Sequence, residues 1–310
     1  MKKVKTVYDH IRSNNIKTAI LVAAFPIIFI ALVFLFTWIV VPARDAAEIA
    51  LAVAVPTALV CLIWMGISWA FGDAMILSVA GAHEIDGSDP KNREIFRSVE
   101  NVALAAGLPT PRVYIIDDDS MNAFATGRGP NDASVALTRG IIKRLDRLEL
   151  EGVIAHEMAH IGNRDIRLDM LLITGIGVTV FAADVIMRVI LSGNHSRDDK
   201  DKGNAAAILF MVWLAFMVFN FIITPLLRMA ISRSREYAAD ATGAQITRNP
   251  RALASALRKI TTDARVECLD KVKAMSAMCI ANPRAPRELL GDLLATHPPV
   301  EARIKRLESM

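Results

Sequence analysis

Cysteine is scarce in this 310-residue chain: there are three, Cys61, Cys268 and Cys279. An odd number without metal-ligand spacing excludes a disulfide scaffold and a cysteine-built zinc site, so all three read as reduced packing thiols. Internal repeats and low-complexity linkers are missing too, which excludes a solenoid and a disordered chain. The most informative shortage is local, a shortage of charge. Overall, charged residues make up an ordinary 22%, whereas 53% of residues are hydrophobic before the 16 glycines are counted. Soluble domains are roughly 45–50% apolar with glycine included. Ordinary charge beside excess apolarity means the two are segregated along the chain, because a uniformly apolar soluble domain would have to expose that surface.

Three windows contain no charge at all: Thr18–Ala43, Ile49–Gly72 and Gly203–Leu227. Each is as long as the roughly 20 helical residues that cross a bilayer's hydrocarbon core. A fourth, Met170–Ser192, is interrupted by Asp184 and Arg188, which are spaced i,i+4 and can pair on one helix face. It reads as a span with a paired charge or as an interfacial helix. Pro26, Pro56 and Pro225 are compatible with membrane helices. Lys2, Lys3 and Lys5 before an apolar run imitate a signal peptide. That run is too long for one and lacks a small-residue cleavage site, which predicts a retained anchor.

The basic residues set the expected orientation. Lys2, Lys3, Lys5, Arg12 and Lys17 precede the first window, Arg164 and Arg167 precede Met170–Ser192, and Arg228, Arg233 and Arg235 follow Gly203–Leu227. The turn after the first window carries only Arg44 against Asp45 and Glu48, and the loop Asn194–Gly203 balances its charges. By the positive-inside rule the N-terminus and the other basic flanks are cytoplasmic. The net charge of +4 is therefore a matter of topology, and no nucleic-acid partner is expected.

The expected organisation is a cytoplasmic N-terminus (1–17), two transmembrane helices (18–72), a first water-facing part (73–168), a transmembrane hairpin (169–227) and a second water-facing part (228–310). The fold class is α+β, mostly helical. In the first part, spacing through Ile95, Val99, Val102 and Ala106 predicts a helix over Asp89–Ala106 closed by Gly107. Arg112–Ile116 reads as a strand. Asn122–Thr126 and Ser134–Thr138 flank the turn Gly127–Asp132 as a hairpin, and a helix covers Arg147–Asn163. The second part reads as helical, with Pro250 and Pro299 placed to start helices.

Chemistry enters with His156-Glu157-Met158-Ala159-His160 on the Arg147–Asn163 helix. Histidines at i and i+4 share a helix face and can ligate one zinc ion, while Glu157 can serve as general base toward a metal-activated water. A catalytic zinc needs a third protein ligand, from any His, Cys, Asp or Glu on an element that docks against this helix. Glu236 is such a candidate, with Asp240 one turn later able to accept the free ring N–H of a ligating histidine. His297, in Thr296-His297-Pro298-Pro299, could donate to the oxyanion of a tetrahedral intermediate. Parity adds a constraint. His160 and Glu236 can share a site only if Met170–Ser192 and Gly203–Leu227 both cross, which predicts four spans and a site near the membrane surface.

HEMAHIGNRD at His156–Asp165, SRSREYAAD at Ser232–Asp240, AGLPTPRVYII at Ala106–Ile116, NAFATGR at Asn122–Arg128 and THPP at Thr296–Pro299 resemble the HtpX family of membrane heat-shock zinc metalloproteases. Order and spacing agree over roughly residues 75–310. The resemblance implies a gluzincin-type zinc protease domain carrying a small β-sheet, one zinc ion per chain held by His156, His160 and Glu236, and Glu157 as base. It implies peptide-bond hydrolysis in misfolded or damaged proteins at the bacterial cytoplasmic (inner) membrane, with a multi-pass chain in the lipid bilayer and the active site facing the cytoplasm. It also implies that Asn122, Ala123, Phe124 and Ala125 lie beside the substrate as an edge strand, able to hold an extended peptide through backbone groups. Two alternatives remain: a prenyl-protein-type protease using the same chemistry on lipidated C-termini, and a non-enzymatic transporter or assembly factor with a structural His/Glu cluster. The second expects buried polar residues in mid-span, where the charge-free windows offer little beyond Thr37 and Asn220.

Overall fold

A computed structural model of the chain describes residues 7–40, 44, 46–192, 200–223, 233–262 and 298–310. His297, Cys268, Cys279, Pro225 and most of the Asn194–Gly203 loop lie outside the described residues. The chain divides into two packing units, one drawn from Lys17–Ala70 and Thr174–Leu227, the other from the remaining segments.

Apart from a turn at Arg44, the described residues of the first unit are helical. Its elements are α1 (Val7–Val40), α2 (Ala46–Val79), the later part of α6 (Asp165–Ser192), and α7 (Lys200–Val218) with a π-helical turn at Phe219–Ile223. Phe29, Val33, Ala183, Ala215, Phe216 and Phe219 form its core, with the Phe29 ring 4.3 Å from Phe216 and edge-on to Phe219 at 5.7 Å. The Thr179 hydroxyl donates to Asn220 Oδ1 at 2.8 Å, and the Asn220 amide donates to the Phe216 carbonyl at 2.9 Å. Both polar side chains are thereby satisfied within apolar helices, as a water-poor environment demands. Many large apolar side chains, among them Leu51, Val55, Leu59 and Ile63, face outward. Among the described residues, two helices are long and apolar enough to cross a bilayer, Ala47–Val79 and Asp165–Ser192, and Pro26–Ile39 and Ala207–Phe221 are shorter apolar helices. The window interrupted by charge thus lies on one of the two long helices, and its Arg188 and Asp184 are paired at 2.8 Å.

The second unit holds a four-stranded sheet in the order β1-β2-β4-β3, built from β1 (Ala82–Ile85), β2 (Arg112–Ile116), β3 (Ala123–Gly129) and β4 (Asp132–Thr138). β2 runs parallel to β4, and the other neighbours are antiparallel. The hairpin strands reach further than the sequence suggests, because an irregularity between Gly127 and Gly129 lets pairing continue into the expected turn. Asn122 stands just before β3 rather than in it. β1 was not expected: Ala-His-Glu-Ile is short and half polar, and only its pairing with β2 makes it a strand.

Helix α3 (Arg93–Ala106) starts later than its spacing suggests, since Asp89–Asn92 forms a turn, and it closes on left-handed Gly107 as expected. The short α4 (Arg139–Arg144) is capped by the Thr138 hydroxyl. α5 (Arg147–Gly162) ends one residue short of the expected Asn163, and α8 (Arg233–Thr247), α9 (Pro250–Thr262) and α10 (Val300–Glu308) are further described helices of the unit. Both prolines start helices: Pro250 opens α9 and Pro299 caps α10. The core gathers Val99, Val113, Val135, Leu137, Val153, Ile154, Leu253 and Leu257 around α5.

Candidate metal centre

α5 is the spine of the site. Asp146 and Glu149 form a reciprocal capping box at its start, satisfying two otherwise orphaned amides. From Gly152 to Ala159 every residue is buried, because α3, α8, α9 and β3 all pack against the helix. His156 and Glu157 are therefore enclosed, and their polar atoms need partners inside the protein.

The two histidines face one point. Nε2 of His156 lies 3.2 Å from Nε2 of His160, and the Glu236 carboxylate on α8 approaches at 3.7 Å from the first and 3.6 Å from the second. One ligand atom from each residue lies within 4.8 Å of the others. Nitrogen ligands about 2.0–2.1 Å from a tetrahedral zinc stand about 3.3 Å apart, so the histidines already hold the required separation. α8 comes this close because Gly243, on the same side of the helix as Glu236 and Asp240, lets the backbones touch at His156.

Each histidine is oriented from behind. Nδ1 of His156 lies 3.0 Å from Asp240 Oδ1, and Nδ1 of His160 lies 2.9 Å from Asp165 Oδ2. An Nδ1–H donated to each carboxylate would leave each Nε2 to ligate a metal at the shared point. The carboxylates are fixed in turn by buried arginines. Arg303 on α10 donates through Nε and one terminal nitrogen to both oxygens of Asp240, at 2.8 and 2.7 Å, and another nitrogen lies 3.6 Å from Glu236. Arg235 lies 3.5 Å from Asp165 and donates to Asp169 at 3.0 Å.

The electrostatics fit a cation. Glu157, Asp165, Glu236 and Asp240 are all buried, against the two buried guanidiniums of Arg235 and Arg303. Asp169, which also pairs with Arg235, adds a fifth carboxylate, so carboxylates outnumber guanidiniums around the point where the two Nε2 atoms meet. Burial works against the charge on His160, but the hydrogen bond to Asp165 and the charge of Glu236 outweigh it and raise its pKa to about 9. Burial also opposes charge on Asp240, yet the Arg303 fork outweighs it and holds the pKa at about 2. Glu157 is pushed up, chiefly by burial, against the opposing pull of His156 and His160.

Residues 89–310 match Peptidase family M48. A Protease HtpX homolog of Lactobacillus helveticus (strain DPC 4571) is 39% identical over 308 residues, spanning 98% of this chain and 100% of that one. Its counterpart in Thermoanaerobacter pseudethanolicus is 38% identical over 307 residues, spanning 99% and 98%. The chain belongs to the HtpX family, within Peptidase family M48. It is a metalloprotease. Among solved structures, S. mikatae Ste24p aligns with a TM-score of 0.45 and 16% identity, over 86% of this chain and 64% of that one.

Within this HtpX-family site, the residues singled out from the sequence fall into three groups. His156, His160, Glu236 and Asp240 meet directly, and Glu157 lies on α5 between the histidines, within electrostatic reach of both and of Glu236. Ala123, Phe124 and Ala125 are buried on β3, the edge strand of the sheet on the side of α5, and Asn122 is anchored through its amide to the Thr138 hydroxyl at 2.9 Å. His297 lies outside the described residues, although Pro298 and α10 immediately after it belong to this unit. Asp165, Arg235 and Arg303 were not anticipated. Arg303 left a trace, since it shares with Val300, Ile304 and Leu307 the i, i+3, i+4, i+7 stripe that should be apolar.

Proposed function

We propose that the chain is a zinc-dependent endopeptidase whose ion is held by His156, His160 and Glu236. The observation that carries this is the convergence of two Nε2 atoms and a carboxylate on one buried point, with both Nδ1 atoms already committed to Asp240 and Asp165. A zinc ion held there would supply Lewis acidity, polarising the scissile carbonyl and lowering the pKa of a water. Glu157 takes the proton from that water and passes it to the leaving amine. Burial raises its pKa, the direction that suits a carboxylate that must hold the proton before returning it. Asp240 and Asp165 keep the imidazoles in one tautomer throughout, and Arg303 keeps Asp240 charged.

For substrate, the reading assigns β3 and Asn122 the role of an edge that an extended peptide can join through its backbone. Such pairing selects for unfolded segments rather than for sequence, which suits removal of misfolded or damaged proteins. His297 is proposed as oxyanion donor on its sequence position alone. Location follows from connectivity. The apolar helices between His160 and Glu236 must cross in pairs for the two ligands to meet, and with two N-terminal crossings this makes a four-span protein of the bacterial inner membrane. The basic flanks then place the site in the cytoplasm.

Metal content and casein hydrolysis, measured on wild type and Glu157→Gln, test the proposal. The variant should retain one zinc per chain and lose hydrolysis by at least about 100-fold, the general-base contribution. Wild-type protein without zinc, or a hydrolytically competent Glu157→Gln, would overturn it.

A further inference from the structure

Arg235 is a buried arginine with no role in ligating or transferring anything, yet it sits at the meeting point of two ligands. It precedes Glu236 on α8, so its placement and that of the third ligand are one decision of the backbone. Its guanidinium lies 3.5 Å from Oδ1 of Asp165, whose other oxygen holds Nδ1 of His160 at 2.9 Å. The same guanidinium donates to both oxygens of Asp169, at 3.0 and 3.3 Å. Asp165 and Asp169 are one turn apart at the head of α6. They follow the break between α5 and α6 at Arg164, which has a left-handed φ of 59°.

Resting on the zinc reading above, we propose that Arg235 is a positioning residue of the metal centre: it clips the head of α6 to the first turn of α8, thereby aiming Asp165 at His160 and fixing Glu236. The clip has an architecture that a merely structural ion pair would not need. A carboxylate shared between an imidazole and a guanidinium presents its two oxygens to different partners, so losing either partner frees it to rotate. Asp169 takes one terminal nitrogen of the guanidinium and Asp165 the other, so Arg235 bridges the two carboxylates. On the other histidine, Arg303–Asp240–His156 has the same order of partners and arrives from a different helix. α6 also runs on as a helix long and apolar enough to cross a bilayer, so the clip makes the start of that helix part of the metal site.

The test uses full-length protein in detergent, with zinc affinity from competition against a chromogenic chelator and ligand geometry from the visible spectrum of the cobalt-substituted form. Arg235→Gln should weaken zinc binding by about 10- to 100-fold and change the cobalt spectrum. Arg235→Lys, which keeps the charge without the fork, should recover part of that affinity. Because one arm of the clip acts through Asp165, the double variant Arg235→Gln/Asp165→Asn should lose less zinc affinity than the sum of the two single losses; fully additive losses would overturn the relay. Wild-type affinity together with a wild-type cobalt spectrum in Arg235→Gln would overturn it as well. If Arg235→Gln does not fold, Asp169→Asn removes the anchor instead, and unchanged zinc affinity there is equally fatal. A wild-type protein that binds no zinc would sink the enzyme reading itself, an outcome distinct from a zinc-binding wild type beside unaffected Arg235 variants.

Discussion

A Cβ on Gly243 would meet the backbone nitrogen of His156 at 3.0 Å and its Cα at 3.2 Å. Glu236, Asp240 and Gly243 fall at i, i+4 and i+7 on α8, so the third ligand, the aspartate behind His156 and the point of closest helix approach lie along one side. Gly243→Ala therefore separates stability from function. Alanine favours the helix by about 1 kcal/mol, while forcing the helices apart costs about 1–3 kcal/mol. The melting temperature should change little. A shift of a few tenths of an ångström in Glu236 and Asp240 should nonetheless lower kcat/KM about tenfold or more, since a 1 Å misplacement can cost about 100-fold. Peptide hydrolysis by Gly243→Ala at the wild-type rate would show that α8 can move without disturbing the ligands.

Arg303 is fully buried and is the counter-charge of Asp240, with Glu236 close by. Arg303→Met fills similar volume but leaves buried carboxylates uncompensated, which should cost about 3–5 kcal/mol. Arg303→Lys restores the charge without the two-point fork and should fall between the two. Denaturant unfolding in detergent, at fixed zinc, would check this ordering. Equal stability of the methionine variant and wild type would mean that Asp240 is neutral in the folded protein.

How much of this was visible beforehand depended on whether geometry was local. His156, Glu157 and His160 lie within five consecutive residues, and a helix alone fixes their relative placement. Glu236 and Asp240 share a helix, so their joint role was legible once a docking partner for α5 was sought. β2 and the hairpin show in their β-branched and small residues, whereas β1 exists only through pairing with β2. Asp165 was opaque for a specific reason. It is five residues beyond His160, but the left-handed Arg164 between them takes it off the helical spacing that sequence patterns can follow. The partners of Arg235 and Arg303 lie 66 and 63 residues away, and no local rule reaches that far.

Metal removal should have a signed pH dependence. In the metal-free protein the pKa of His160 is about 9, so at neutral pH this ligand carries a proton that zinc must displace. Zinc affinity should rise about tenfold per pH unit below that value and level off near it. As a raised pKa, it also means that protonated His160 stabilises the metal-free fold fully below its ordinary 6.5 and that this contribution is lost as pH climbs through about 9. Chelation should therefore lower the melting temperature more at pH 9 than at pH 6.5. Calorimetry of zinc binding in buffers of different ionisation enthalpy would count the released proton. Binding without proton release at pH 7 would place the ligand neutral already.

Glu149 offers a pH test well away from the metal. It closes the α5 capping box through the Asp146 amide at 2.9 Å and accepts from Lys259 at 2.6 Å and Ser255 at 2.7 Å, tying α5 to α9. Burial would raise its pKa, but the hydrogen bonds from Lys259 and Ser255 prevail and lower it below the ordinary 4.5. A lowered carboxylate pKa stabilises the fold fully above the ordinary value, and that stabilisation fades as pH falls through the folded-state value. Glu149→Gln keeps the cap and the Ser255 contact but loses the charge facing Lys259. It should be less stable than wild type by about 1–2 kcal/mol at pH 7, with the gap narrowing as pH drops below 4.5. Thermal unfolding of both proteins across that range measures the gap directly. A difference that stayed constant into acid would mean that the Lys259 contact contributes packing rather than charge.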